Sequence, residues 1–186
     1  IPEAGTRVTT LESGETQGVY NVPAQSLPRL EGNRALRIEK APWPGVPRIW
    51  LLNITKPPMD DVKVRRAINY AIDKDAFLAT VYKGTALKAG APLTAVMLDD
   101  PAVKRAAIPF DAAKAKALLG EAGWQAGADG IRTKGGQRLE IVLNAIEYGG
   151  GPDPTAQIIQ ASLQEVGIDV KIKAQARPPW YEDNYR

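Results

Sequence analysis

The stretch that most constrains the fold is residues 57–84, PPMDDVKVRRAINYAIDKDAFLATVYKG. Two consecutive prolines oppose helix before Met59, because a residue that precedes proline is pushed out of the α region. Asp61 then stands where a helix N-cap belongs, and apolar residues follow it at the three- and four-residue spacing of one buried stripe. The members of the stripe are Val64, Ala67, Ile68, Ala71 and Ile72. Such a helix must bury one face against a larger element, which we expect to be a β-sheet.

A second short helix is predicted directly after the first. Asp73 can act as its N-cap, and Gly84 is the expected left-handed residue that ends it. The side chains expected to face inward are Phe77, Leu78, Val81 and Tyr82. The two helices therefore form a pair that buries one side.

The residues before this pair predict shorter elements. They are a helix over 6–14, strands over 18–22, 33–40 and 48–54, and one or two helical turns over 24–31. Residues 42–47 carry three prolines and a glycine, which predict a rigid turn. The strands on either side of that turn are expected to run antiparallel.

The residues after the pair predict a βαβ unit. The predicted elements are a loop over 85–109 with a helical turn near Ala102, a helix over 111–122, a hairpin turning at Gly135 and Gly136, a strand over 139–146, a helix over 154–166 and a strand over 168–174. Strand, helix and strand in this order predict a right-handed crossover and parallel pairing. The sequence therefore predicts an α/β fold, with a mixed β-sheet flanked by helices.

The chain contains neither cysteine nor histidine among its 186 residues, and this limits its chemistry. Without cysteine there are no disulfides, thiolate nucleophiles or Cys-based metal sites, and without histidine the commonest general base and metal ligand are missing. The adjacent Asp60 and Asp61 are interpreted as a helix cap with a dipole partner rather than as an acid–base pair. The turn at Asp129 lacks the ligand spacing of a calcium loop. We therefore expect no catalysis, no metal and no cofactor.

Charge and hydropathy argue against two further classes of partner. The formal net charge is only +3, with Lys and Arg scattered among acidic residues and no basic stripe interleaved with aromatics. We therefore expect no binding to nucleic acid. No apolar run approaches the ~20 residues that a membrane span needs. The first residues also lack the charged-then-apolar pattern of a signal peptide.

Residues 50–84 resemble the signature region of the extracytoplasmic solute-binding proteins of family 5, the peptide-, dipeptide- and nickel-type receptors of bacterial ABC importers. The family pattern is an apolar strand ending in Leu-Asn, then Pro-Phe, Asp-Val-x-Val-Arg-x-Ala and Ala-Ile-Asp. The matching residues are Leu52, Asn53, Pro58, Asp61, Val62, Val64, Arg65, Ala67, Ala71, Ile72 and Asp73. Met59 stands where Phe is commoner. The runs LESGETQGVYNVP and FDAAKAKALLGEAGW resemble two further blocks, with Gln17 in place of Asp and Ala112 in place of Pro.

The resemblance implies one lobe of a two-lobed, periplasmic-binding-protein-like fold (class II, type C cluster). Because the family's members are longer, it also implies that residues 1–186 are a single α/β lobe, a C-terminal-lobe fragment of a longer chain. The implied function is that of a monomeric substrate-binding component of an ABC importer, in the periplasm or on the extracytoplasmic face. It would capture a peptide-like or other small solute between its lobes and meet the membrane only through the transporter's permease. Two alternatives stay open: a non-catalytic interaction domain and a carboxylate-based hydrolase.

The predicted ligand site is the loop after the strand over 139–146, because ligands of open α/β sheets bind beyond the carboxyl ends of the strands. The candidate ligand-binding residues are Glu147, Tyr148, Gly149, Gly150, Trp180 and Asn53. The alternatives are a connector for the loop, core or lobe packing for Trp180 and a backbone hydrogen bond for Asn53. In dipeptide-binding members, an arginine of this loop pairs with the peptide carboxylate, and its position falls at or near Gly150. The resemblance therefore implies that this clamp is missing here.

Overall fold

A computed structural model describes residues 3–41, 48–90, 100–102, 107–147, 154–176, 178–180 and 182. The helices within these ranges are α1 (Ala4–Glu12), α2 (Leu27–Glu31), α3 (Val62–Ala71), α4 (Lys74–Phe77), α5 (Ala112–Glu121) and α6 (Pro154–Gln164). The strands are β1 (Gln125–Ala126), β2 (Arg132–Lys134), β3 (Gln137–Arg138), β4 (Glu140–Glu147) and β5 (Asp169–Ala176). A 3-10 turn (Ala24–Ser26) leads into α2, and a π-helix (Leu78–Tyr82) continues α4.

The helix pair predicted at residues 57–84 is confirmed as α3 and as α4 with the π-helix that continues it. The four side chains predicted to face inward from the second helix are half-buried: Phe77, Leu78, Val81 and Tyr82. Asp61 is the N-cap of α3 and accepts a hydrogen bond from a first-turn amide at 2.7 Å. Asp73 caps α4 by accepting hydrogen bonds from two first-turn amides. The buried residues of α3 are Val64, Ala67, Ile68 and Ala71, which are four of the five residues of the predicted stripe. The fifth, Ile72, follows the helix and is half-buried. The left-handed stop includes Lys83 (φ +47°) as well as Gly84 (φ +79°).

The main core lies between one face of a parallel sheet and three helices. β4 and β5 pair in parallel over their full lengths, and α6, which connects them, packs against β5. α3 packs against α5. The buried side chains of this core include Val64, Ile68, Leu119, Leu139, Ile141, Leu143, Leu163, Val166 and Val170. The predicted parallel βαβ unit is therefore confirmed, and alternate residues of each strand face the core.

β1, β2 and β3 form a separate antiparallel sheet beside this core. Gly135 and Gly136 join β2 to β3, both with positive φ, as a two-residue hairpin turn requires. Hydrogen bonds of the Arg132 side chain connect this sheet to the C-terminal ends of two helices. Its Nε donates to the carbonyl of Val166 at 2.9 Å, just past α6, and its Nη1 donates to the carbonyl of Trp124 at 2.8 Å, just past α5. The predicted hairpin is confirmed, and the side chain of Arg132 holds it against the ends of α5 and α6.

α1 and α2 bury residues that do not belong to the main core. Val8, Leu27 and Leu30 are buried, and Arg29 pairs with Glu12 across the two helices at 2.5 Å. The 3-10 turn that precedes α2 lies against the π-helix. The segment that leads into α2 therefore contacts the C-terminal end of the helix pair.

Three predicted strands are wrong, since residues 18–22, 33–40 and 48–54 have no regular secondary structure. Asn21 has φ +58°, a left-handed conformation that interrupts an extended chain. The segment after α2 instead closes a turn, in which Asn33 accepts hydrogen bonds from amides two and three residues later. A strand needs a pairing partner elsewhere in the chain, so local alternation does not secure it.

Residues 48–54 keep the alternation of a strand without the pairing. Trp50 and Leu52 pack against the main core, while Ile49 and Leu51 are 49% and 59% exposed. Among the described residues, β4 and β5 pair only with each other. The α/β class is thus confirmed, but its parallel and antiparallel pairings occur in two separate sheets, and neither includes residues 48–54.

The rigid turn over 42–47 lies outside the described residues, as does part of the loop over 85–109. Residues 101–102 are helical, in agreement with the helical turn predicted near Ala102. Within the described part of the chain, no helix combines the length and the apolarity needed to cross a membrane.

Candidate ligand-binding site

The parallel pairing brings two strand ends to one edge of the sheet. β4 ends at Glu147 and β5 ends at Ala176, and these two residues lie opposite each other in the register. α6 begins at Pro154, so the chain leaves β4 and enters a helix at the same end of the molecule. Ligands of open α/β sheets bind beyond this end. We call the two strand ends and the first turn of α6 the carboxyl edge.

Trp180 lies beside the carboxyl edge. Its indole Nε1 donates a hydrogen bond to the backbone carbonyl of Asn144, three residues before the end of β4, at 3.1 Å. The side chain is half-buried. An indole combines a large apolar surface with one donor, and here the donor holds the ring against the strand. This placement is the one that the predicted role requires, and the contact with ligand stays a prediction.

The other predicted loop residues are described only in part. Glu147 is the last residue of β4, so its backbone belongs to the carboxyl edge. Its side chain lies outside the described part of the structure, and so do Tyr148, Gly149 and Gly150. Their binding roles stay predictions.

Asn53 forms a turn. Its Oδ1 accepts hydrogen bonds from the amide of Thr55 at 3.1 Å and from the hydroxyl of Thr55 at 2.7 Å. The turn leads into the two prolines before α3, and none of the described contacts of Asn53 reaches the carboxyl edge. These bonds favour the alternative given above, a backbone hydrogen bond in the turn. A ligand contact of Asn53 stays a prediction.

Arg48 reaches the carboxyl edge although no sequence pattern singles it out. Its Nη1 donates a hydrogen bond to Oγ1 of Thr155, in the first turn of α6, at 2.9 Å. The two residues are 107 positions apart, so no local pattern predicts the contact. The sequence feature that could have drawn attention to Arg48 is its position directly before an apolar run. Trp50 and Leu52 of that run pack against the core.

None of the described residues with a shifted pKa belongs to the carboxyl edge. Hydrogen bonds from the Thr6 hydroxyl and from first-turn amides of α1 lower the pKa of Glu3 to about 2. Burial lowers the pKa of Lys74, whose Nζ donates to the carbonyls of Asn69 and Ile108. Across the described ranges, no three acidic side chains gather where they could hold a metal ion. The carboxyl edge itself offers backbone groups, an aromatic ring and an arginine, which are the components of a binding site.

The chain is similar to bacterial binding proteins over almost all of its length. The glutathione-binding protein GsiB of Pectobacterium atrosepticum is 32% identical over 174 residues, which cover 94% of this chain and 31% of that protein. The nickel-binding periplasmic protein of Escherichia coli is 33% identical over 183 residues, which cover 92% of this chain and 33% of that protein. The chain therefore spans about a third of the length of these relatives.

A solved structure shares the fold. The crystal structure of NikA from Brucella suis in complex with Fe(III)-EDTA matches with a TM-score of 0.78 and 34% sequence identity. The match covers 98% of this chain and 37% of that one. The arrangement of helices and strands described above is therefore that of part of this solved structure.

The family assignment rests on the whole chain rather than on one motif. The model of the bacterial extracellular solute-binding proteins, family 5 Middle, matches residues 1–186. This confirms the resemblance carried by residues 50–84, and the similar proteins agree with it. The chain belongs to family 5 of the bacterial extracellular solute-binding proteins.

Proposed function

We propose that the chain forms part of the substrate-binding component of a bacterial ABC importer. The observation that carries this proposal is the carboxyl edge, where two parallel strands end side by side, with Trp180 bonded to β4 and Arg48 bonded to α6. Ligands of α/β sheets bind at such an edge. Membership of a family of extracellular solute-binding proteins supports the same function.

The chain supplies one wall of the solute cleft, as a single α/β lobe, and a second lobe supplies the other wall. The greater length of the relatives supports this division, since the chain spans only about a third of them. A cleft with one wall cannot bury the ~70–90% of ligand surface that tight sites enclose. The chain alone therefore binds its solute weakly, and a two-lobed protein that contains it binds the solute tightly.

The solute is peptide-like or another small molecule, such as a metal chelate. The names of the similar proteins support this range, since one is a glutathione-binding protein and another is a nickel-binding protein. Gly150 carries no side chain, so an arginine clamp for a dipeptide carboxylate is not part of this proposal. The ligand-facing residues are those predicted above: Glu147, Tyr148, Gly149, Gly150, Trp180 and Asn53.

The protein acts as a monomer outside the cytoplasmic membrane and delivers its solute to a membrane permease without chemical change. The periplasmic location of the Escherichia coli relative, given in its name, supports this location. An interaction domain would instead bind no small solute, and a hydrolase would consume one.

Calorimetric titration of the two-lobed protein tests the proposal. The probes are glutathione, the dipeptide Ala-Ala and Ni²⁺ with histidine, and mass spectrometry of the recovered probe follows any turnover. We expect one probe to bind with a micromolar or lower Kd and to be recovered intact. Absence of binding by all three would reject a receptor for these solute classes, and turnover lost on changing a carboxylate such as Glu147 would favour a hydrolase.

A matched pair of tryptophan variants tests the location of the site. Trp180→Phe keeps an aromatic ring but removes the bond to Asn144, so it should weaken binding several-fold. Trp124→Phe changes a buried tryptophan of the main core and should leave the Kd unchanged. Equal effects of the two changes would argue against the carboxyl edge as the binding site.

A further inference from the structure

We propose that Arg48 is a positioning residue of the carboxyl edge. Through its bond to Thr155, it holds the first turn of α6 in the orientation that ligand binding requires. This inference rests on the proposed function for its ligand and adds a residue outside the predicted site.

The first step is that the backbone of Arg48 starts from an anchored segment. Trp50 and Leu52 lie two and four residues later and pack against the main core. Ile49 and Leu51 point the other way and are largely exposed. In an alternating segment, residues two apart share a face, so Arg48 extends from the same side as the two anchors.

The second step is that the guanidinium transmits this anchoring to α6. Its nitrogens form a planar, rigid set of donors, so a bond from Nη1 fixes a direction as well as a distance. The distance of 2.9 Å to Thr155 Oγ1 is that of a good hydrogen bond. Thr155 is the second residue of α6, and α6 packs against β5. The contact therefore connects the segment before α3 with the start of α6.

The third step is that the start of α6 is part of the ligand-binding edge. α6 begins at the end of the sheet where β4 and β5 stop, so a tilt of its first turn changes the shape of that edge. Binding groups need to be held within about 0.5 Å of their productive positions. Loss of the Arg48–Thr155 bond should therefore reduce affinity without removing a group that touches the ligand.

The variants separate the bond from the bulk of the two side chains. Thr155→Val removes the acceptor at nearly constant size, and Thr155→Ser keeps the hydroxyl. Arg48→Gln removes the charged fork, and Arg37→Gln is the control at an exposed arginine whose ion pair is with Glu39. We expect Thr155→Val and Arg48→Gln each to weaken binding about threefold, because water competes for this exposed hydrogen bond. The double variant should lose less affinity than the sum of the two single losses, because both changes remove the same bond.

The first measurement is hydrogen–deuterium exchange on the chain without ligand. Thr155→Val and Arg48→Gln should speed exchange of the amides of Ile158 and Ile159, which an α-helix bonds to the carbonyls of its first turn, whereas Thr155→Ser and Arg37→Gln should not. Unchanged exchange in the first two variants would overturn the inference, whatever the ligand is.

The second measurement is calorimetry of the same variants in the two-lobed protein, with whichever of glutathione, Ala-Ala and Ni²⁺–histidine the unchanged protein binds. A positioning role is supported if Thr155→Val and Arg48→Gln weaken binding, Thr155→Ser does not, and the melting temperature is unchanged. Faster exchange with an unchanged Kd would overturn it, as would an equal loss of affinity in Thr155→Ser. If the unchanged protein binds none of the three probes, the proposed function fails and the binding role of Arg48 is rejected with it, while the exchange data still report on the bond.

Discussion

Arg132 shows at the scale of one residue how a side chain can hold two parts of this fold together. Its two hydrogen bonds to the carbonyls of Val166 and Trp124 join the antiparallel sheet to the ends of α6 and α5. Gly167 makes room for it, because a Cβ at that position would lie 2.7 Å from Cγ of Arg132. The contact therefore depends on both the arginine and the glycine.

Arg132→Met should destabilise the chain by roughly 1–3 kcal/mol, because two partly buried carbonyls lose their charged donors. Urea denaturation followed by circular dichroism measures the loss. The control is Arg37→Met, since Arg37 has an 88% exposed side chain in a surface ion pair. Such pairs contribute about 0–1 kcal/mol, so the control should change stability little. Equal midpoints for the two variants would contradict the anchoring role of Arg132.

Glu3 should make the start of α1 sensitive to acid. Its pKa falls from 4.5 to about 2 because the Thr6 hydroxyl and the amides of Thr6 and Gly5 donate hydrogen bonds to the carboxylate in the folded chain. The stability that these bonds contribute is present above the unfolded pKa and is lost as the pH falls through the folded value. Amide shifts of Gly5 and Thr6, followed by NMR, should therefore titrate with a midpoint near pH 2. Glu3→Gln should abolish that titration, and a midpoint near 4.5 would contradict the cap.

At the scale of an element, α3 carries the most direct test of the core. Ile68 is 2% exposed, so Ile68→Asp buries an unpaired carboxylate. The cost should be several kcal/mol, which is about the whole stability margin of a small domain. Val62→Asp is the control on the same helix, because Val62 is 48% exposed at the first helical position, where an acidic residue is favourable. Similar melting temperatures for Ile68→Asp and the unchanged chain would show that the inward face is wrongly assigned.

The elements that could be predicted are those whose signals are local. Asp61 and Asp73 cap their helices, and Gly135 and Gly136 turn the hairpin, because each acts on residues within three or four positions. The buried stripe of α3 could be predicted because the apolar spacing of one helix face repeats within seven residues.

The strands that could not be predicted depend on distant partners. Residues 48–54 have the right alternation, but pairing requires another strand beside them, and the sequence does not say whether one is available. The left-handed Asn21 likewise ends an extended run that composition alone favours.

At the scale of the whole molecule, the position of the carboxyl edge could be predicted but its contacts could not. The order strand, helix, strand fixes which end of the sheet collects the loops, and Trp180 lies there as expected. The bond from Trp180 to Asn144 spans 36 positions, and the bond from Arg48 to Thr155 spans 107. Contacts of this range depend on the final packing rather than on any local pattern.

The central claim, that this chain forms one wall of a solute cleft, is tested most directly by calorimetry on two proteins. The same solute is titrated into the chain and into the two-lobed protein that contains it. We expect a micromolar or lower Kd for the two-lobed protein and weak or undetectable binding for the chain, because one wall leaves most of the ligand in water. Equal affinity of the two proteins would show that the complete site lies within residues 1–186 and would contradict the account.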